Sequence, residues 1–136
     1  MGLRVLDIVA GKQPGQLVNA LPWELYTGEL PTHPGLVGRI PTSINVPWPV
    51  VADLDTNIFK SAEEVGAATD GVLDSEDENV IAYCGGGVSA TGLIFGLHLA
   101  GRDDVRLYNG SLEEWALDAD RPLATGVPTN RVNPDR

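Results

Sequence analysis

Whatever this chain folds into must accommodate Val80-Ile81-Ala82-Tyr83-Cys84-Gly85-Gly86-Gly87-Val88-Ser89-Ala90, which carries the only cysteine in the sequence. Val80 to Tyr83 is a β-branched and aromatic run of strand type. Ser89 to Ala100 repeats apolar residues at helical spacing through Leu93, Ile94 and Leu97. The cysteine therefore ends a strand and faces the start of a helix. Three consecutive glycines let backbone N–H groups turn inward, and a helix N-terminus adds about half a positive charge at the same place. The combination predicts a cradle for an anion, in which a sulfur atom is favoured as thiolate. A buried structural thiol is the plainer reading of a lone cysteine. The glycines and the helix start beside Cys84 argue for function instead.

The rest of the chain supplies a scaffold of alternating strands and helices. Leu3 to Val9 has an apolar pattern compatible with a short helix that Gly11 and Pro14 end, which makes residues 1–16 an N-terminal docking segment. Leu17 to Ala20 reads as a short buried strand, and Pro22 opens a helical turn through Tyr26. From Thr27 to Pro49 the density of Gly and Pro excludes a long helix and favours an ordered excursion, with only Ser43 to Val46 extended enough to join a sheet. Phe59 to Thr69 predicts a helix with Ser61 as a possible N-cap. The acidic run Asp70, Asp74, Glu76, Asp77, Glu78 lacks regular ligand spacing and reads as a solvated connection rather than a metal site.

After the glycine loop, Gly92, Gly96 and Ala100 fall four apart and predict a largely buried helix with a smooth face for packing on a sheet. His98 is expected to pack within that helix, and His33 has no identifiable partner. Val105 to Tyr108 repeats the strand signature, Asn109-Gly110 is a turn, and Ser111 is placed to cap a helix through Leu117. Trp23, Trp48 and Trp115 are expected in the core or a pocket wall, since no basic residues interleave with them. Residues 127–136 read as a loose polar tail. The alternation implies an α/β domain, a mostly parallel sheet covered on both faces, with Cys84 at the carboxyl end of a strand.

Composition narrows the partners. A chain of 136 residues with 43% apolar content suits one domain across 1–136, with a core at about 17–123. One cysteine rules out an internal disulfide and a multi-thiolate zinc site, and it suits a reducing cytoplasm. No stretch approaches the roughly 18 to 20 apolar residues of a membrane span, and the N-terminus lacks signal-peptide order. The formal charge of −10 repels phosphate backbones and anionic lipids, so neither nucleic acid nor membrane is an expected partner.

Three chemistries compete for the loop. Gly85-Gly86-Gly87-Val88-Ser89-Ala90 satisfies the dinucleotide pattern G-x-G-x-x-A, but only 46 residues follow Ala90, too few for the remainder of such a fold. A cysteine phosphatase needs an arginine to close the loop, and the sixth residue after Cys84 is Ala90. Sulfur transfer, in which a thiolate takes up a sulfur atom and later yields it, needs only a thiolate and amide donors.

The strand, Cys84-Gly85-Gly86-Gly87-Val88-Ser89, the helix and Leu107-Tyr108-Asn109-Gly110-Ser111-Leu112-Glu113-Glu114-Trp115 resemble the catalytic half of rhodanese-type sulfurtransferases. Gly38-Arg39-Ile40-Pro41-Thr42-Ser43-Ile44-Asn45-Val46-Pro47-Trp48 is similar to the family's G-H-I-P-G-A-x-N-V-P-W segment, and the resemblance extends over about Leu17 to Leu123. It implies a rhodanese-like α/β fold with a central parallel five-stranded sheet and helices on both faces. It also implies Cys84 as persulfide carrier and the amides of Gly85, Gly86, Gly87, Val88 and Ser89 as persulfide-binding donors. The neutral loop looks more like the mercaptopyruvate branch than the thiosulfate branch.

The chain also departs from the pattern. Val18-Asn19-Ala20-Leu21 stands where the family has V-D-x-R, Arg39 replaces the histidine of G-H-I-P, and Asn109 opens the D-G-S segment. Tandem members carry an inactive first half with no counterpart here. Arg39, the one arginine of the excursion, is either an anion contact or a plain surface residue. The resemblance implies a sulfurtransferase passing sulfane sulfur from thiosulfate or 3-mercaptopyruvate through Cys84 to a thiol or cyanide, with no cofactor. A binding or sulfur-relay module with reduced donor turnover is the alternative.

Overall fold

The computed structural model describes residues 1–69, 71–73 and 75–128. Asp70 and Asp74 of the acidic run and residues 129–136 of the tail lie outside the described residues. Four strands form a parallel sheet: β1 (Gln16–Asn19), β2 (Ile44–Asn45), β5 (Val80–Tyr83) and β6 (Arg106–Leu107), in the order β2-β1-β5-β6. All four residues of β5 are buried. Successive side chains of a strand point to opposite faces, so both faces of this strand are covered.

The five-stranded sheet implied by the resemblance is a four-stranded one among the described residues. The two remaining strands pair with each other as a separate antiparallel ribbon, β3 (Ala52–Asp53) with β4 (Ile58–Phe59). On the excursion, Arg39 and Ala124 make only an isolated bridge. Phe59 thus belongs to a strand rather than to the helix predicted from it. That helix, α3 (Ala62–Ala68), starts after Ser61, whose hydroxyl accepts from Glu64 N in a full capping box.

Helix α1 (Gly2–Val9) buries Val5 and Ile8 in the same core cluster as β1 and β5. Helix α2 (Trp23–Thr27) follows β1 and ends at Gly28 in the left-handed conformation. Beyond β5 come α4 (Val88–Leu99) and, after β6, α5 (Ser111–Trp115). The small residues of α4 meet a partner other than the sheet. A side chain at Gly92 would touch the Trp48 ring at 3.2 Å, and one at Gly96 would overlap Val51. Both partners lie on the 3₁₀ turn Trp48–Val51, which packs directly on α4.

Helix α4 is also less buried than expected. Ala90, Leu93, Gly96 and Leu97 face the core, whereas Val88, Phe95, His98 and Leu99 are exposed. His98 is therefore a surface residue. Of the tryptophans, Trp115 is fully buried and Trp48 half-buried, but Trp23 is exposed, its ring tilted against Tyr26. Near the acidic run, the buried Arg102 guanidinium donates to the carbonyls of Val72, Ser75 and Asp77 and to Asp104. Among the described residues no helix is long and apolar enough to cross a membrane, and no group of His, Cys, Asp or Glu is arranged to hold a metal ion.

Candidate active site

Strand β5 stops at Tyr83, and the buried Cys84 is held by hydrogen bonds reaching from distant sequence. Its N–H donates to Ser111 Oγ at 3.1 Å, and its carbonyl accepts from Leu112 N at 3.0 Å. The Gly85 carbonyl accepts from Glu113 N at 3.0 Å. The first residues of α5 therefore clamp the cysteine and its neighbour. On the other side, the Gly87 amide donates to Cys84 Sγ at 3.0 Å, so the loop does curl an N–H onto the sulfur.

Only glycine suits position 87. Its φ is 99°, and a Cβ there would stand 2.8 Å from the Asn109 carbonyl oxygen. Helix α4 begins one residue earlier than the periodicity predicts, at Val88, and no side chain caps it. The amides of Val88 and Ser89 fall in its first turn, where N–H groups have no intrahelical acceptor. Gly86 and Val88 are exposed, Ser89 is half-buried, and Gly85 and Gly87 are buried. The loop is thus open on its Gly86–Val88 side and closed at its base.

Ser111 does not cap α5. It is the first residue of that helix, has a left-handed φ of 52°, and is fully buried. Its hydroxyl donates to Tyr108 O at 2.9 Å while accepting from the cysteine amide. A side chain that the sequence assigns to helix initiation instead fixes the backbone under the sulfur. Below the loop, the Tyr83 phenol accepts from Ile40 N at 3.0 Å and Asn19 Nδ2 at 3.2 Å, and pairs with Ser43 Oγ at 2.8 Å. Ser43 Oγ in turn donates to Ile40 O. The phenol proton is therefore directed at Ser43. Burial pushes the Tyr83 phenol well above its ordinary value, against the smaller opposing effect of these hydrogen bonds.

The excursion contributes a rim. The space beside Gly85 is walled by Thr32 Cγ2 at 3.2 Å and His33 Nε2 at 3.8 Å, and the space beside Gly86 by the Glu113 carboxyl group from 3.4 Å. His33 Nε2 donates to Glu113 Oε1 at 3.0 Å, so the histidine does have a partner, 80 residues away. The Asn-Gly-Ser-Leu-Glu-Glu-Trp segment was the available signal for Ser111 and Glu113. Nothing local signals His33.

A family model described as a rhodanese-like domain matches residues 10–118. The chain belongs to the rhodanese-like family. It is 41% identical over 86 residues to "Thiosulfate/3-mercaptopyruvate sulfurtransferase 1, mitochondrial" of Arabidopsis thaliana, a match covering 63% of this chain and 22% of that protein. It is 30% identical over 125 residues to the 3-mercaptopyruvate sulfurtransferase of Escherichia coli (strain K12), covering 89% of this chain and 44% of the other. Among solved structures it is similar to the Tum1 protein of Saccharomyces cerevisiae, with a TM-score of 0.73 at 26% identity, over 91% of this chain and 44% of that one. The rhodanese-like domain spans less than half the length of these relatives.

The departures from the rhodanese pattern have structural uses in this rhodanese-like domain. Asn19 is fully buried; besides its bond to Tyr83, its Oδ1 accepts from Leu21 N at 3.0 Å and from Asn45 Nδ2 at 3.3 Å. Arg39 is buried rather than on the surface. Its Nη1 donates to Gly126 O at 2.7 Å and Tyr26 O at 3.3 Å, and its guanidinium lies 4.4 Å from the centroid of the Tyr26 ring. That arrangement ties the chain near Gly126 back onto α2.

Proposed function

We propose that this rhodanese-like domain is a sulfurtransferase that carries sulfane sulfur on Cys84. The observation behind the reading is the Gly87 amide pointed at Sγ in an uncapped helix N-terminus. In the first half-reaction the thiolate attacks the outer sulfur of thiosulfate, and sulfite leaves with the S–S bonding pair. With 3-mercaptopyruvate the C–S bond breaks instead, and the enolate of pyruvate leaves and takes up a proton. In both cases Cys84 becomes a persulfide, whose terminal charge is bound by the amides of Gly85, Gly86, Gly87, Val88 and Ser89, a reading supported by the Gly87 N–H on the sulfur. In the second half-reaction a thiol or cyanide attacks that outer sulfur, and the Cys84 thiolate is regenerated. No cofactor enters either step. A lone reactive thiol of this kind suits the cytoplasm.

The second reading is a sulfur-relay or binding module, favoured by the structural employment of Asn19 and Arg39. In it Arg39 fastens the chain near Gly126 and contributes no charge to donor binding. Mass spectrometry after exposure to each donor separates the two. A one-sulfur adduct on Cys84, lost on adding cyanide, is expected for the enzyme, and Cys84→Ser abolishes it. A relay module forms the adduct only from an existing persulfide, and full turnover by Cys84→Ser refutes both.

A further inference from the structure

Side chains from outside the loop reach the glycines at its open end. Glu113, the third residue of α5, places its carboxyl group against Gly86, with Oε1 at 3.4 Å and Oε2 at 3.5 Å from where a side chain would begin. His33 crosses from the excursion to hold it, Nε2 to Oε1 at 3.0 Å, and both side chains are about half exposed at 50% and 58%. A molecule entering on the open side of the loop, across Gly86, passes this pair.

The loop contributes nothing to offset that carboxylate except amide dipoles. Residues 85–89 carry no charged side chain, and the chain as a whole has a formal charge of −10. Glu113 thus brings a carboxylate to the rim of a loop whose amides favour anions. The two effects act on different parts of an incoming molecule. The amides act on the transferred sulfur, and the carboxylate acts on whatever is attached to it.

We infer that Glu113 is a specificity-determining residue. Its carboxylate, held over Gly86 by His33, ranks incoming molecules by charge and disfavours the thiosulfate dianion relative to the 3-mercaptopyruvate monoanion. In thiosulfate the charged sulfonate is bonded directly to the transferred sulfur, so it must pass the rim. In 3-mercaptopyruvate the carboxylate is separated from the sulfur by two carbons. The identity of the donors rests on the sulfurtransferase reading, whereas the ranking holds for any reagent that reaches Sγ.

The experiment alkylates Cys84 of the full chain with anionic iodoacetate and neutral iodoacetamide. The same nucleophile attacks both, so the ratio of the two rates cancels changes in the reactivity of the sulfur itself. Glu113→Gln is expected to raise the iodoacetate-to-iodoacetamide ratio by roughly three- to tenfold, and Glu113→Lys further, with the effect shrinking in high salt. The control Glu76→Gln, in the exposed acidic run, leaves the ratio at the wild-type value. An unchanged ratio in both Glu113 variants overturns the inference, and so does an equal rise in the control. Persulfide formation is then compared with thiosulfate and 3-mercaptopyruvate, and Glu113→Gln is expected to narrow the gap between them. If the alkylation ratios shift as stated while neither donor loads Cys84 in any variant, charge selection by Glu113 stands and the sulfurtransferase reading falls.

Discussion

Replacing Ser111 by alanine removes the acceptor for the Cys84 N–H at 3.1 Å and a donor to Tyr108 O at 2.9 Å. The Tyr108 carbonyl still accepts from Ser111 N at 3.0 Å, so one buried group, the cysteine amide, loses its partner. An orphaned buried amide costs about 1 to 3 kcal/mol. Unfolding a domain of this size carries an entropy of about 0.3 kcal/mol per kelvin, so the loss lowers the melting temperature by roughly 3 to 10 °C. The glycine variant isolates a second effect. Ser111 has φ 52°, which costs an L-residue about 1 to 2 kcal/mol. Glycine relieves that strain, less about 0.4 to 1 kcal/mol for its freer unfolded chain. Ser111→Gly should therefore be more stable than Ser111→Ala by about 0.5 to 1 kcal/mol, although both lose the hydroxyl. Urea denaturation followed by tryptophan fluorescence, to which the buried Trp115 contributes, measures both. An alanine variant within about 0.5 kcal/mol of wild type would show that the amide has another acceptor, and a glycine variant no better than alanine would refute the strain argument.

Two further outcomes test the packing and the electrostatics. Gly96→Ala drives a methyl into Val51 and is expected to cost about 1 to 3 kcal/mol, whereas Gly66→Ala, whose nearest neighbour is Leu73 at 3.4 Å, should stabilise α3 by up to about 1 kcal/mol; thermal denaturation of both is the check. Burial, followed by the Glu114 carboxylate that accepts its O–H at 3.0 Å, pushes the Tyr108 phenol up to about 12. An unfolded tyrosine ionises near 10, so this contribution is intact below pH 10 and is lost as the pH rises from 10 to about 12. Stability measured across that window should fall less steeply in Tyr108→Phe, and identical slopes would reject the assignment.

The strand and helix around Cys84 were legible because each is a local pattern: a run of β-branched residues, then apolar residues at helical spacing. The capping box at Ser61 was legible for the same reason. The β3–β4 ribbon was not, since strands of two residues have no period to detect, and Phe59 was drawn into the helix that follows it. Ser111 reads as a cap because serine usually serves as one, and only the folded chain shows its hydroxyl turned to an amide 27 residues away. Arg39 reads in the sequence as either an anion contact or a surface residue, yet it is buried against the Tyr26 ring and a carbonyl 87 residues distant. The rim was invisible because Glu113 fits the ordinary preference for acids in a first helical turn, and His33 is far from it in sequence.

Asn19 illustrates how one buried side chain constrains what its neighbours can be. An amide donates to the Tyr83 phenol and accepts from Leu21 N and Asn45 Nδ2; a carboxylate at the same place could only accept. Asn19→Asp would demand that the phenol turn its proton away from Ser43 and that a buried negative charge find a cation. That change is therefore conditional on others. Positions 19, 43 and 83 are thus coupled through one hydrogen-bonded group, and a carboxylate at position 19 is tolerated only if the other two change with it.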